Sequence, residues 1–183
     1  MNYIVSGLER SGTSLLMQVL EAGGAPVAYD KSREPDAHNP RGYFELEGGR
    51  IINKVMKGTF KFDRYSDKFI KITAFGLKHL PEGDYKIIFM TRNLDEIVDS
   101  QHKMYESKVP LSREDTKELL DKLLSKTKKE LKNRKDVKIL YVNYNRLINQ
   151  PDVQLKSIKR FLGDFDIEKA KRVIDTNLYR SRS

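Results

Sequence analysis

Apolar positions fall into short unbroken runs that alternate with stretches of helical period. Residues 3–6 form the first apolar run and predict a strand, ended by Gly7-Leu8-Glu9-Arg10-Ser11-Gly12. Leu15, Leu16, Val19 and Leu20 then recur at helical spacing, and Gly23-Gly24 supplies a stop. Residues 69–73 and 86–91 predict buried strands. Ile87, Ile88, Phe89 and Met90 show no polar alternation, as expected of a parallel strand covered on both faces. Helices are predicted over 94–105 and 112–132, the second opened by Ser112 and Asp115 as a cap pair. A further strand at 137–142 precedes helices at 153–162 and 167–174.

Strands alternating with helices predict an α/β fold, a central parallel sheet flanked by helices. The 183 residues fit one domain. Residues 25–67 break the pattern with Pro26, Pro35, Pro40 and several glycines, and offer one helix at 49–57 where Ile51, Ile52 and Val55 share a face. A long irregular stretch in a compact domain is more often functional than idle, so this is the expected substrate side.

Composition narrows the picture. With 38% hydrophobic and 33% charged residues the chain reads as soluble and globular. No apolar run reaches membrane-spanning length, and the N-terminus lacks a basic start and cleavage site, so the expectation is a cytoplasmic protein without a membrane partner. The absence of cysteine excludes disulfides, thiolate metal sites and a cysteine nucleophile. A formal charge of +9 invites a polyanion, yet much of the excess lies at 117–138, where lysines punctuate a leucine-patterned helix as on a solvated face. A nucleic-acid partner is therefore not expected. The three scattered histidines and unpaired carboxylates predict no metal site.

A glycine-bounded loop between strand and helix aims amides and a helix N-terminus at one spot, which suits a phosphate. Gly7 to Gly12 followed by Thr13-Ser14 has Walker A spacing, but Thr13 stands where the lysine belongs, and Arg10 brings a cation into the loop. An ordinary nucleoside-triphosphatase or kinase is thereby disfavoured. The alternative is a tight turn capped by Ser11 or Thr13.

Gly7-Leu8-Glu9-Arg10-Ser11-Gly12-Thr13-Ser14-Leu15-Leu16 resembles the loop of bacterial-type P-loop sulfotransferases that use 3′-phosphoadenosine 5′-phosphosulfate (PAPS). The resemblance implies a single P-loop-type domain. Gly7 and Gly12 would shape a loop in which Arg10, the amides of Ser11 to Ser14 and the Thr13 and Ser14 hydroxyls hold the 5′-phosphosulfate. A second segment, Phe89-Met90-Thr91-Arg92-Asn93-Leu94-Asp95-Glu96-Ile97-Val98-Asp99-Ser100, resembles the family's 3′-phosphate motif, with Arg92 ending a strand and Ser100 eight residues on. Taken singly, Arg92 pairing with Asp95 or Glu96 and an incidental Ser100 would explain these residues better; together, downstream of the first loop, they disfavour that reading. Smaller likenesses are Asn39-Pro40-Arg41-Gly42-Tyr43-Phe44-Glu45, the segment around Tyr144 (with Asn145 where relatives carry glutamate), and the tail, whose Arg180 or Arg182 would reach the 3′-phosphate.

What the resemblance implies is metal-independent, in-line transfer of a sulfuryl group from PAPS to a hydroxyl or amine, leaving adenosine 3′,5′-bisphosphate. Arg10 and Lys71 are the candidate stabilisers of charge; Lys71 lies either inward in an apolar strand or on an exposed edge. For the base, the irregular segment offers Asp30 and Glu34 first and His38 next, with Asp36 and Glu45 also present. The competing readings are a silent PAPS-binding relative and a P-loop nucleotide kinase, with a basic RNA-binding module last.

Overall fold

The computed structural model describes residues 1–37, 39–105 and 111–175. Its four strands, β1 (Asn2–Gly7), β2 (Phe69–Lys71), β3 (Tyr85–Thr91) and β4 (Val137–Asn143), form one parallel sheet in the order β2-β1-β3-β4. Ile4 lies opposite both Ile70 and Ile87, and Ile88 opposite Leu140. The α/β architecture read from the pattern is the one the chain adopts.

Successive strand residues point to opposite faces, and each face is covered. Ile4, Ile70, Ile87 and Phe89 pack in one core with α3 (Ala74–Leu77), α4 (Leu94–Tyr105) and α5 (Arg113–Asn133). Val5, Phe69, Ile88, Met90 and Val142 pack in the other, against α1 (Thr13–Ala22), α6 (Tyr144–Asn149), α7 (Pro151–Leu162) and α8 (Ile167–Arg172). Burial on both sides explains why β3 carries no polar alternation.

Local chemistry sets the helix ends. Ser112 Oγ accepts from the Asp115 amide at 3.0 Å, realising the cap pair at the start of α5. Pro151 occupies the first turn of α7, two residues before its expected start. The helix anticipated at 49–57 shortens to α2 (Ile51–Met56), because Gly48 and Gly49 hold positive φ in a preceding 3₁₀ turn. The single-turn α3 was not anticipated. Its Gly76 sits so close to Ile72 that a Cβ would lie 2.7 Å from Cγ2, so packing rather than propensity forms it.

Along α5 half of the lysines find carboxylates: Lys117 meets Asp95 at 2.7 Å, Lys122 pairs with Glu118 and Lys126 with Glu130 at 4.0 Å. Such exposed pairs contribute little and fit a solvated face. In the irregular segment, Phe60, Phe62 and Tyr65 pack against the core beside Tyr85, while Arg33, Asn39, Tyr43 and Glu45 line a cleft shared with the loop after β1. Strand order reverses around β1, so the crevice beyond the ends of β1 and β3 is where an open α/β sheet receives ligands.

Candidate active site

The turn from β1 into α1 is built around Gly12. It is the N-cap of α1 at φ 101°, where any side chain is strained, and a Cβ there would lie 2.3 Å from the Tyr144 ring. No side chain caps α1, so neither Ser11 nor Thr13 plays that part. Arg10 also sits in the left-handed region at φ 69°. Beneath the loop, Ser11 is buried with no hydrogen-bond partner for its Oγ, and a Cβ on Gly7 would meet that oxygen at 2.5 Å. The result is a tight backbone cradle with uncapped helix amides.

The two motifs read from the sequence meet at this cradle. Arg10 Nε donates to Ser100 Oγ at 3.0 Å, joining the β1 loop to α4. Arg92, at the end of β3, donates from Nη1 to the Arg10 carbonyl at 3.1 Å. Its Nε donates to Glu96 Oε2 at 2.7 Å, and the Tyr144 ring lies 4.3 Å from its Cζ. Of the two partners considered for Arg92, the i+4 residue Glu96 is the one used.

A second cluster forms where β2 ends. Lys71 is inward-facing, its side chain only 5% exposed, although β2 is an edge strand. Its Nζ donates to Ser14 Oγ at 3.2 Å and to the Tyr43 carbonyl, and pairs with Glu45 Oε1 at 2.9 Å. Burial holds the Lys71 ammonium below the usual lysine range, with Glu45 opposing that shift. Glu45 Oε2 also takes Arg33 Nη1 at 3.2 Å, and the Arg33 guanidinium stacks on Tyr43 at 3.4 Å. Ser14 Oγ accepts from Asn39 Nδ2 at 3.1 Å and donates to the Tyr43 carbonyl at 3.1 Å, so its bonding capacity is full. It ties α1 to the irregular segment.

These groups line one cleft of about 230 Å³, to which Arg10, Gly12, Thr13, Ser14, Lys71, Arg92, Ser100 and Tyr144 all contribute. Gly7 and Ser11 lie under the loop rather than on the wall. Asp30 is elsewhere: its carboxylate accepts the Ser32 and Glu47 amides at 2.8 and 2.7 Å, and these bonds lower its pKa. Glu34 is exposed and also off the cleft wall. His38, Arg180 and Arg182 lie outside the described residues. The carboxylate that does reach the cluster is Glu45. The signal that pointed there was the Asn39 to Glu45 likeness, whose ends both enter the cluster.

Among the described residues the cleft carries five cationic side chains (Arg10, Arg33, Arg41, Lys71, Arg92) against three carboxylates (Glu9, Glu45, Asp175). Arg41 is tied to Asp175 at 2.9 Å on the rim. A net positive, partly desolvated cleft beside a helix N-terminus suits a ligand with several negative charges. The described residues contain no cluster of three or more histidine or carboxylate groups fit for a metal. None of their helices is long and apolar enough to cross a membrane.

The profile of the family described as "Sulfotransferase domain" matches residues 2–178. No curated protein matches the chain. Among solved structures, mouse sulfotransferase SULT7A1 complexed with PAP superposes with a TM-score of 0.57 at 18% identity, over 100% of this chain and 66% of that one. The sulfotransferase domain of the curacin biosynthetic pathway gives 0.53 at 12% identity, over 100% and 91%. Sulfotransferase STF1 of Mycobacterium tuberculosis H37Rv gives 0.54 at 15% identity, over 96% and 71%. At such identities the likeness is one of fold.

Proposed function

Since the chain belongs to the sulfotransferase domain family, we propose that it moves a sulfuryl group from PAPS to a hydroxyl or amine acceptor. The observation that carries this reading is the bond from Arg10 to Ser100, which brings a 5′-type and a 3′-type phosphate motif to one cleft. A triphosphate enzyme has no use for the second motif. The mouse relative was solved with PAP, which supports the same donor here.

The residues present fit such a nucleotide. Arg10, the amides of Gly12 to Ser14 and the Thr13 hydroxyl would hold the 5′ end, with the uncapped α1 terminus favouring its charge, while the Ser11 amide is taken by the Leu8 carbonyl at 3.1 Å. Arg92 and Ser100 would hold the 3′-phosphate, Tyr144 backing both Gly12 and Arg92. Arg180 and Arg182 are further candidates for that phosphate. PAPS supplies an activated sulfuryl group whose leaving group is a phosphate.

Each remaining task has a side chain. Lys71, with Arg10, sets positive charge beside the loop, fixed in place before reaction by Ser14, Tyr43 and Glu45. Glu45 is the carboxylate in position to accept the acceptor's proton, its two oxygens oriented by Lys71 and Arg33. Asp30 instead holds the loop that carries Glu45, and its own amide donates to the Glu45 carbonyl at 2.9 Å. The acceptor would enter between Arg33, Tyr43 and Tyr105 on the cleft wall.

Equilibrium dialysis of the whole chain with ³⁵S-labelled PAPS in the presence of EDTA tests the reading. Saturable binding without metal is expected. Failure to retain label, or retention only with magnesium, contradicts it.

A further inference from the structure

We propose that Glu96 is the positioning residue that makes Arg92 selective for a 3′-phosphate. This rests on the assignment of Arg92 to that phosphate. Glu96 is 1% exposed on the inner side of α4, where an unpaired carboxylate would be strongly disfavoured. Both of its oxygens are engaged: Oε2 takes Arg92 Nε at 2.7 Å and Oε1 takes Asn145 Nδ2 at 2.8 Å.

The consequence falls on the guanidinium. Its Nε edge is set by Glu96, Nη1 by the Arg10 carbonyl, and one face by the Tyr144 ring. A planar fork oriented this way before a ligand arrives loses little freedom on binding a tetrahedral anion. The charge of Glu96 also opposes the anion, so its net effect is a contest between orientation and neutralisation. With three separate elements (the loop after β1, α4 and α6) converging on the fork, orientation wins.

The readout is preference rather than affinity. Calorimetry gives dissociation constants for adenosine 3′,5′-bisphosphate and adenosine 5′-phosphate with wild type, Arg92→Ala and Glu96→Gln. Wild type is expected to prefer the bisphosphate, Arg92→Ala to lose that preference, and Glu96→Gln to reduce it at least tenfold while binding adenosine 5′-phosphate as wild type does. A wild type without preference defeats the Arg92 assignment and this inference with it. A preference lost in Arg92→Ala but kept or raised in Glu96→Gln leaves the assignment standing and overturns the role of Glu96. Should Glu96→Gln not fold, Asn145→Ala removes the other bond to Glu96 and leaves both charges. A roughly threefold fall in preference is then expected, and no change overturns the inference.

Discussion

Arg10 and Ser100, ninety residues apart, are joined by a 3.0 Å hydrogen bond from Nε to Oγ. The loop after β1 and the second turn of α4 therefore form one continuous wall of the cleft. If Ser100 serves the 3′-phosphate, Ser100→Ala lowers affinity for adenosine 3′,5′-bisphosphate about tenfold, the loss of one hydrogen bond to a charged group. Calorimetry should find adenosine 5′-phosphate affinity changed by less than twofold.

Gly12 is constrained twice, by its φ of 101° and by the Tyr144 ring against it. Gly12→Ala is expected to destabilise the fold by about 2–4 kcal/mol, combining backbone strain with overpacking. Thermal unfolding measures this. Adding Tyr144→Ala should not make the loss larger by the full cost of that second change, because the clash disappears with the ring.

Lys71 titrates below the ordinary lysine value of 10.5, chiefly through burial. Between its folded pKa and 10.5 the unfolded chain binds the additional proton, so this residue makes stability rise with pH across that window. Below the folded value its penalty is constant. NMR titration of the lysine ¹³Cε signals should place Lys71 under the surface lysines. Glu45→Gln should lower it further, since the Glu45 charge raises it. A midpoint at or above 10.5 contradicts the buried geometry.

With Glu45 proposed as the base and Asp30 bonded to backbone amides, substitutions separate chemistry from scaffolding. Glu45→Gln is expected to cut turnover by about 10²–10⁴-fold, the usual contribution of a general base, while bisphosphate binding stays within a few-fold. Asp30→Ala is expected to cost about 1–2 kcal/mol, as when a carboxylate cap on backbone amides is lost. The Asp30 pKa is lowered, so its contribution is present above 3.8 and lost as pH falls through the folded value. The gap between wild type and Asp30→Ala should close in acid. Loss of turnover per folded molecule in Asp30→Ala would return the base to that position.

Much of this was legible along the chain where the determinants are local. The apolar run of β3, the Ser112–Asp115 cap and the Arg92–Glu96 spacing are each readable within a few residues. The pairing of Lys71 with Glu45 was not, since the two meet across 26 positions of chain through a segment with no period. Distance from the phosphate loop, which favours Asp30 over Glu45, does not say whether a carboxylate faces a cleft or its own backbone amides. α3 was invisible for a similar reason: Ala-Phe-Gly-Leu is a poor helix former that packing holds in place.

A PAPS donor is what separates this cleft from a triphosphate site. Calorimetry of wild type and Arg92→Ala with adenosine 3′,5′-bisphosphate, and with ATP plus magnesium, tests it most directly. The bisphosphate should bind wild type without metal and bind Arg92→Ala at least tenfold more weakly, with magnesium-ATP the poorer ligand of wild type. Tight magnesium-dependent ATP binding that is indifferent to Arg92 would contradict a PAPS site and return the cleft to triphosphate chemistry.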